Sequence, residues 1–150
     1  MKNLFLASLL ILSIAIPVEA ADGLVNVESA YTVKETADRM ESILKEKGMT
    51  VFNRINHSEG AGNVGIELRD TVLIIFGNPK VGSPLMKCRQ SVAIDLPQKA
   101  LIWEDDSDQV WISYNDPKYL VKRHNITGCE QVISKIEMAL AGIVKSASSK

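Results

Sequence analysis

Lys99-Ala100-Leu101-Ile102-Trp103-Glu104, then Asp105-Asp106-Ser107-Asp108, then Gln109-Val110-Trp111-Ile112-Ser113-Tyr114 reads as a β-hairpin closed by an acidic turn. Alternation along its second strand sets Trp111 and Ser113 on one face and Ile112 and Tyr114 on the other. Upstream, Ile66 to Phe76 reads as a strand interrupted by Arg69-Asp70. It ends in the continuous apolar run Val72-Leu73-Ile74-Ile75-Phe76 before Gly77-Asn78-Pro79. Such a β-branched run between turn residues is the pattern of a buried central strand. Leu24 to Ser29 and Met49 to Ile55 supply two more strands.

Helices fill the gaps. Thr32 with Glu35 forms a capping box, after which Val33, Ala37, Met40 and Leu44 recur at helical spacing and Gly48 supplies a left-handed stop. Asn56 to Gly65 reads as a polar, Gly-containing loop. Ser83-Pro84 is a cap-plus-proline start for a short helix, Leu85 to Ser91, and Asn115-Asp116-Pro117 opens another that runs to about His124. Thr127 with Glu130 reads as a second capping box, starting a last helix with the stripe Val132, Ile133, Ile136, Leu140, Ile143 and Val144. Lys145 to Lys150 reads as a frayed end. The order predicts a single compact α+β domain: a mostly antiparallel sheet with helices packed mainly on one face.

Composition narrows the function classes. Lys and Arg number 17 against 18 Asp and Glu, so there is no basic footprint for nucleic acid. Met1-Lys2, the apolar run Leu4 to Ile16 and Val18-Glu19-Ala20 before Ala21 form a signal-peptide pattern. The run is about 13 residues, short of the roughly 20 that cross a bilayer. Residues 1–20 are expected to be a signal peptide cut after Ala20 or Ala21, and 21–150 a periplasmic or secreted domain with no stable membrane span. Export into an oxidising compartment favours pairing of the two cysteines, Cys88 and Cys129, in a disulfide. A reactive thiol pair is the rival, but no C-x-x-C motif supports it.

No complete catalytic motif is present. His57 and His124 could hold a metal or haem, yet they sit on different elements, and surface or structural histidines are the favoured reading. Gly77 to Ser83 resembles a phosphate loop without its terminal Gly-Lys-Ser/Thr arrangement, and a plain turn is favoured. Ser113 with His124 lacks a G-x-S-x-G nucleophile elbow.

Three ordered motifs carry a specific resemblance. They are Phe76-Gly77-Asn78-Pro79-Lys80-x-Gly82-Ser83-Pro84-Leu85-Met86, Ile94-Asp95-Leu96-Pro97-x-Lys99-Ala100-Leu101-x-Trp103-Glu104-Asp105, and Val110-Trp111-x-Ser113-Tyr114-Asn115-Asp116-Pro117-x-Tyr119-Leu120 followed by Arg123-His124. Together with His57 in its Asn-His loop they resemble domain of unknown function family 302, over roughly residues 24–145. The resemblance implies an α+β domain, commonly exported in bacteria and dimeric, with no established activity. It implies a functional surface at His57, Asn78, Lys80, Asp95, Glu104, Tyr114, Asn115, Tyr119 and His124. The leading expectation is a non-catalytic, homodimeric binding domain for a small ligand or metal-containing cofactor. An acid-base enzyme using Tyr114, His124 and a carboxylate such as Asp95 or Glu104 stays open, as does a structural or interaction protein. Ligand, cofactor and metal are not named by these residues.

Overall fold

The computed structural model describes residues 23–150, and the signal-peptide expectation lies outside them. Five strands, Leu24–Ser29 (β1), Thr50–Asn56 (β2), Thr71–Gly77 (β3), Gln98–Glu104 (β4) and Val110–Asn115 (β5), form one antiparallel sheet in the order β1-β5-β4-β3-β2. The expected hairpin is β4-β5, with Trp103 directly opposite Trp111. Consecutive strands β1 and β2 lie at opposite edges, so the helix between them must carry the chain across the sheet. That helix, Val33–Glu46 (α1), has 14 residues. At 1.5 Å per residue it runs about 21 Å, close to the roughly 19 Å that four inter-strand gaps require.

The helical side of the sheet holds the core. Met40 and Leu44 from α1, Ile74 and Phe76 from β3, Ala100 and Ile102 from β4, and Ile112 from β5 are wholly buried there. Leu140 and Ile143 join them from the last helix, Glu130–Ser148 (α5), which packs beside α1. Each full burial of a Leu, Ile or Phe contributes about 1.5–3 kcal/mol. The Thr32–Glu35 capping box is present, and Gly48 takes φ +69 as the stop requires.

Five local readings need correction. Within Asn56 to Gly65 the chain forms a short helix, His57–Gly62 (α2), because the Asn56 side chain accepts from the Glu59 amide at 3.0 Å. The strand expected from Ile66 starts only at Thr71. α2 has taken the chain away from β2, and Ile66 and Leu68 stay exposed; only at Asp70, whose carbonyl accepts from the Glu104 amide at 3.0 Å, does the chain rejoin the sheet. The helix expected from Leu85 begins earlier, as Pro79–Cys88 (α3), with Asn78 as cap and Pro79 as first residue. Asn78-Pro79 is itself a cap-plus-proline pair, and it outcompetes Ser83-Pro84, which falls inside the helix. A 3-10 turn, Gln90–Ile94, follows it. At α5, Gly128 at φ +72 turns Thr127 away, and Glu130 accepts from the Gly128 amide instead of completing a box.

The C-terminus is not frayed. α5 continues to Ser148, with Ala147 and Ser148 buried. Arg39 donates to the carbonyls of Ser146, Ala147 and Ser149 at 3.0–3.1 Å, occupying acceptors that a helix end leaves orphaned. Its guanidinium also stacks 4.2 Å from the Tyr31 ring centroid.

The hairpin turn carries a pH-sensitive contact. The Asp105 carboxylate accepts from Trp111 Nε1 at 2.7 Å and from the Ser107 and Gln109 amides at 2.9 and 3.0 Å. Those donors, Trp111 first, hold its carboxyl below the ordinary Asp range. A depressed carboxyl stabilises the fold above its unfolded pKa and stops doing so as pH falls through the folded one. Asp105→Ala should therefore melt below wild type by a constant margin above about pH 5, narrowing toward zero under acid. Thermal melts across pH check this, and a margin that persists at low pH would contradict it.

Candidate functional site

The nine surface positions do not form one cluster. His57 is exposed at the start of α2, and Glu104 ends β4 beside Arg69, at 3.5 Å. Both lie at the hairpin end of the sheet, away from the other seven. Tyr114 points into the core at 7% exposure, and burial, with Asp116 and Glu137 adding to it, raises its phenol above the ordinary value. Asn115 ends β5 on the opposite face, across from Leu24. Tyr119 lies on the helix Pro117–His124 (α4) and packs on Gly23, where a Cβ would sit 2.6 Å from its ring. Gly23, at φ +96, admits that contact through having no side chain. Lys80 is exposed on the first turn of α3.

Asp95 and His124 do meet. His124 Nε2 lies 2.5 Å from Asp95 Oδ2, Nδ1 lies 3.1 Å from Ser91 Oγ, and Arg123 reaches Asp95 Oδ1 at 3.1 Å. The pair is buried, with side-chain exposures of 7% and 11%. Ser91, His124 and Asp95 thus stand in the order of a nucleophile relay, and Ser91 was not among the expected positions. Both imidazole nitrogens are engaged, tying α4 to the 3-10 turn, and Tyr114 makes no hydrogen bond to either partner. Among the described residues no three His, Cys, Asp or Glu side chains come together as metal ligands.

The concave feature lies elsewhere. A cavity of about 430 Å³ opens between α3, the middle of α5 and the sheet end formed by Phe52, Gly77 and Gln98. Neither Ser91 nor His124 lines it. Its walls are mostly apolar, Met49, Phe52, Val81, Met86, Leu96 and Ile136 among them, with Lys47, Asn78, Ser83 and Gln98 as the polar lining residues. Both polar atoms of Asn78 have partners: Oδ1 accepts from the Lys80 amide at 2.9 Å and Nδ2 donates to the Gly48 carbonyl at 3.0 Å, joining α3 to the end of α1. Gln98 differs. It is 8% exposed and lines the cavity, and its Nε2 is buried with no hydrogen-bond partner. A buried donor left unpaired costs about 1–3 kcal/mol. Its signal in the sequence is phase: Gln98 alternates with Ala100 and Ile102, which puts it on the helix-covered face.

The walls are cross-linked. Cys88, the last residue of α3, is disulfide-bonded to Cys129, the N-cap of α5, with Cα atoms 6.5 Å apart. No helix of the described residues is long and apolar enough to cross a membrane.

Comparison with known proteins places this geometry in a family. The chain is 43% identical over 122 residues to a protein of Brucella suis biovar 1 (strain 1330) named fluoride-specific ion channel FluC 1, covering 81% of this chain and 48% of that one. A protein of the same name from Brucella abortus biovar 1 (strain 9-941) is also 43% identical over 122 residues, with 45% of its length covered. The chain thus spans about half the length of the curated relatives it matches. A crystal structure of an uncharacterized conserved DUF302 protein from Bacillus stearothermophilus superposes with a TM-score of 0.76, over 85% of this chain and 99% of that one, at 22% identity. The fold is therefore shared. The family model for domain of unknown function DUF302 matches residues 25–143, and the chain belongs to the DUF302 family.

Proposed function

We propose that this protein is an exported, non-catalytic domain that binds a small apolar ligand in the cavity between α3 and α5. One observation carries the reading: a cavity of about 430 Å³, apolar on nearly all sides. Its volume falls within the 300–1,000 Å³ of small-molecule sites, which are mostly apolar with a few placed polar groups. The signal-peptide pattern supports export. The buried Asp95–His124 pair lies outside the cavity and supports a structural role for that histidine.

An environment-sensitive apolar dye such as anilinonaphthalene sulfonate tests the cavity. It should bind one per chain, and Gly82→Leu should abolish binding. A Cβ at Gly82 meets Leu96 Cδ1 at 3.8 Å, an ordinary contact, so the larger side chain can enter the cavity. Removing glycine from the interior of α3 also favours the helix by up to about 1 kcal/mol. A folded Gly82→Leu protein that still binds dye would contradict the proposal.

A homodimer belongs to the same reading. The sheet face without helices presents Leu73, Ile75, Leu101, Trp103 and Trp111, all half-buried, and a second copy is the occupant proposed for it. Light scattering should give a mass of two chains; a single-chain mass at high micromolar concentration would refute this. A second functional reading, an interaction module for a membrane transport protein, is favoured by the 43% identity to proteins named as fluoride channels. Capture of such a channel from detergent-solubilised membranes of the host would support it.

A further inference from the structure

Resting on that ligand-binding reading, we infer that the cavity holds the hydrocarbon tail of a single-chain amphiphile and leaves the head group in water. The polar lining residues decide where the head goes. Both polar atoms of Asn78 are bonded within the protein, to the Lys80 amide and the Gly48 carbonyl. The Gln98 amide nitrogen is buried and does not reach the open space. Lys47 and Ser83 are exposed, so whatever they meet is in contact with water. A polar group drawn inside would lose its water and find no partner, which is unfavourable. An apolar tail gains by the same move. The space is open on one side, so one end of any occupant faces solvent, and a head group placed there stays hydrated. Phe52 and Val81 line the cavity while exposed at 54% and 37%, carrying apolar surface out to that opening. Size sets the length. At about 30 Å³ for each water-sized unit, the 430 Å³ holds on the order of fourteen heavy atoms. One tail of about eight to twelve carbons fills that space, and two such tails exceed it.

Calorimetric titration of the purified protein, with every probe below its micelle concentration, tests this in two series. The first varies the tail, using hexyl-, octyl-, decyl- and dodecyltrimethylammonium. Affinity should rise roughly fourfold for each carbon added and level off by about fourteen carbons, where the tail outgrows the space. The second varies the head, using decanoate, 1-decanol and decyltrimethylammonium. Each should bind one per chain, all within about fivefold of one another, the reach of an exposed charge such as Lys47. Gly82→Leu should abolish binding of all three. A wider spread among the heads, or an affinity that ignores tail length, would overturn the inference. Dye binding without decyl binding would overturn it too, while leaving the cavity's role intact. Failure of both the dye and the decyl probes would overturn the two readings together.

Discussion

Replacing Cys88 and Cys129 together by alanine should lower the free energy of unfolding by about 4 kcal/mol, because the bond closes a loop of 41 residues. In the chain-entropy model the gain comes from restricting the unfolded ensemble and rises slowly with loop length. The bond also joins the end of α3 to the start of α5, the two helices that wall the cavity. The double variant should therefore bind apolar dye more weakly as well as unfold at lower urea. Equilibrium urea unfolding of both proteins measures the first effect and dye titration the second. A midpoint unchanged from wild type would show that the cross-link contributes nothing.

Asp95→Ala should cost about 3 kcal/mol, the upper end of the loss expected when a buried polar group is left without its hydrogen-bond partner. It leaves His124, at 7% side-chain exposure, without its carboxylate partner at Nε2, and also strips Arg123 of its contact. Asp95→Asn keeps an acceptor in place and should lose only about 1 kcal/mol. Urea unfolding again decides. Near-equal, small losses for both variants would contradict the structural role of the pair. Turnover of a substrate by wild type that vanishes in Asp95→Asn would favour the acid-base enzyme instead.

Local chemistry made much of the fold legible. The Thr32–Glu35 box, the Asp116-Pro117 start and the Asp105–Asp108 turn are each decided by residues within four positions of one another, and each forms as read. Alternation placed Trp111 and Ser113 together on the open face, where Trp103 Nε1 donates to Ser113 Oγ at 2.8 Å. Errors came where two local signals competed. Asn78-Pro79 and Ser83-Pro84 both start helices, and only contacts distant in sequence, such as Asn78 to Gly48, favour the first.

The cavity was not legible for the same reason. Its walls come from the end of α1, the sheet, α3 and α5, and no stretch of sequence records that they leave a space between them. Asp95 and His124, 29 residues apart, were each singled out, but their contact depends on α4 folding back over the 3-10 turn. Gln98 could have been found from its phase with Ala100 and Ile102. That its amide lacks a partner could not, since this depends on what α3 and α5 fail to offer.

Titration of ¹⁵N-labelled protein with the apolar dye, followed by amide shifts, locates any bound ligand residue by residue. The proposed site requires saturable shifts at Gly77, Val81, Gly82, Gln98, Leu140 and their neighbours, with the hairpin turn at Asp105–Asp108 unmoved. Shifts spread over the open sheet face, or none at saturating ligand, would contradict a ligand cavity between α3 and α5.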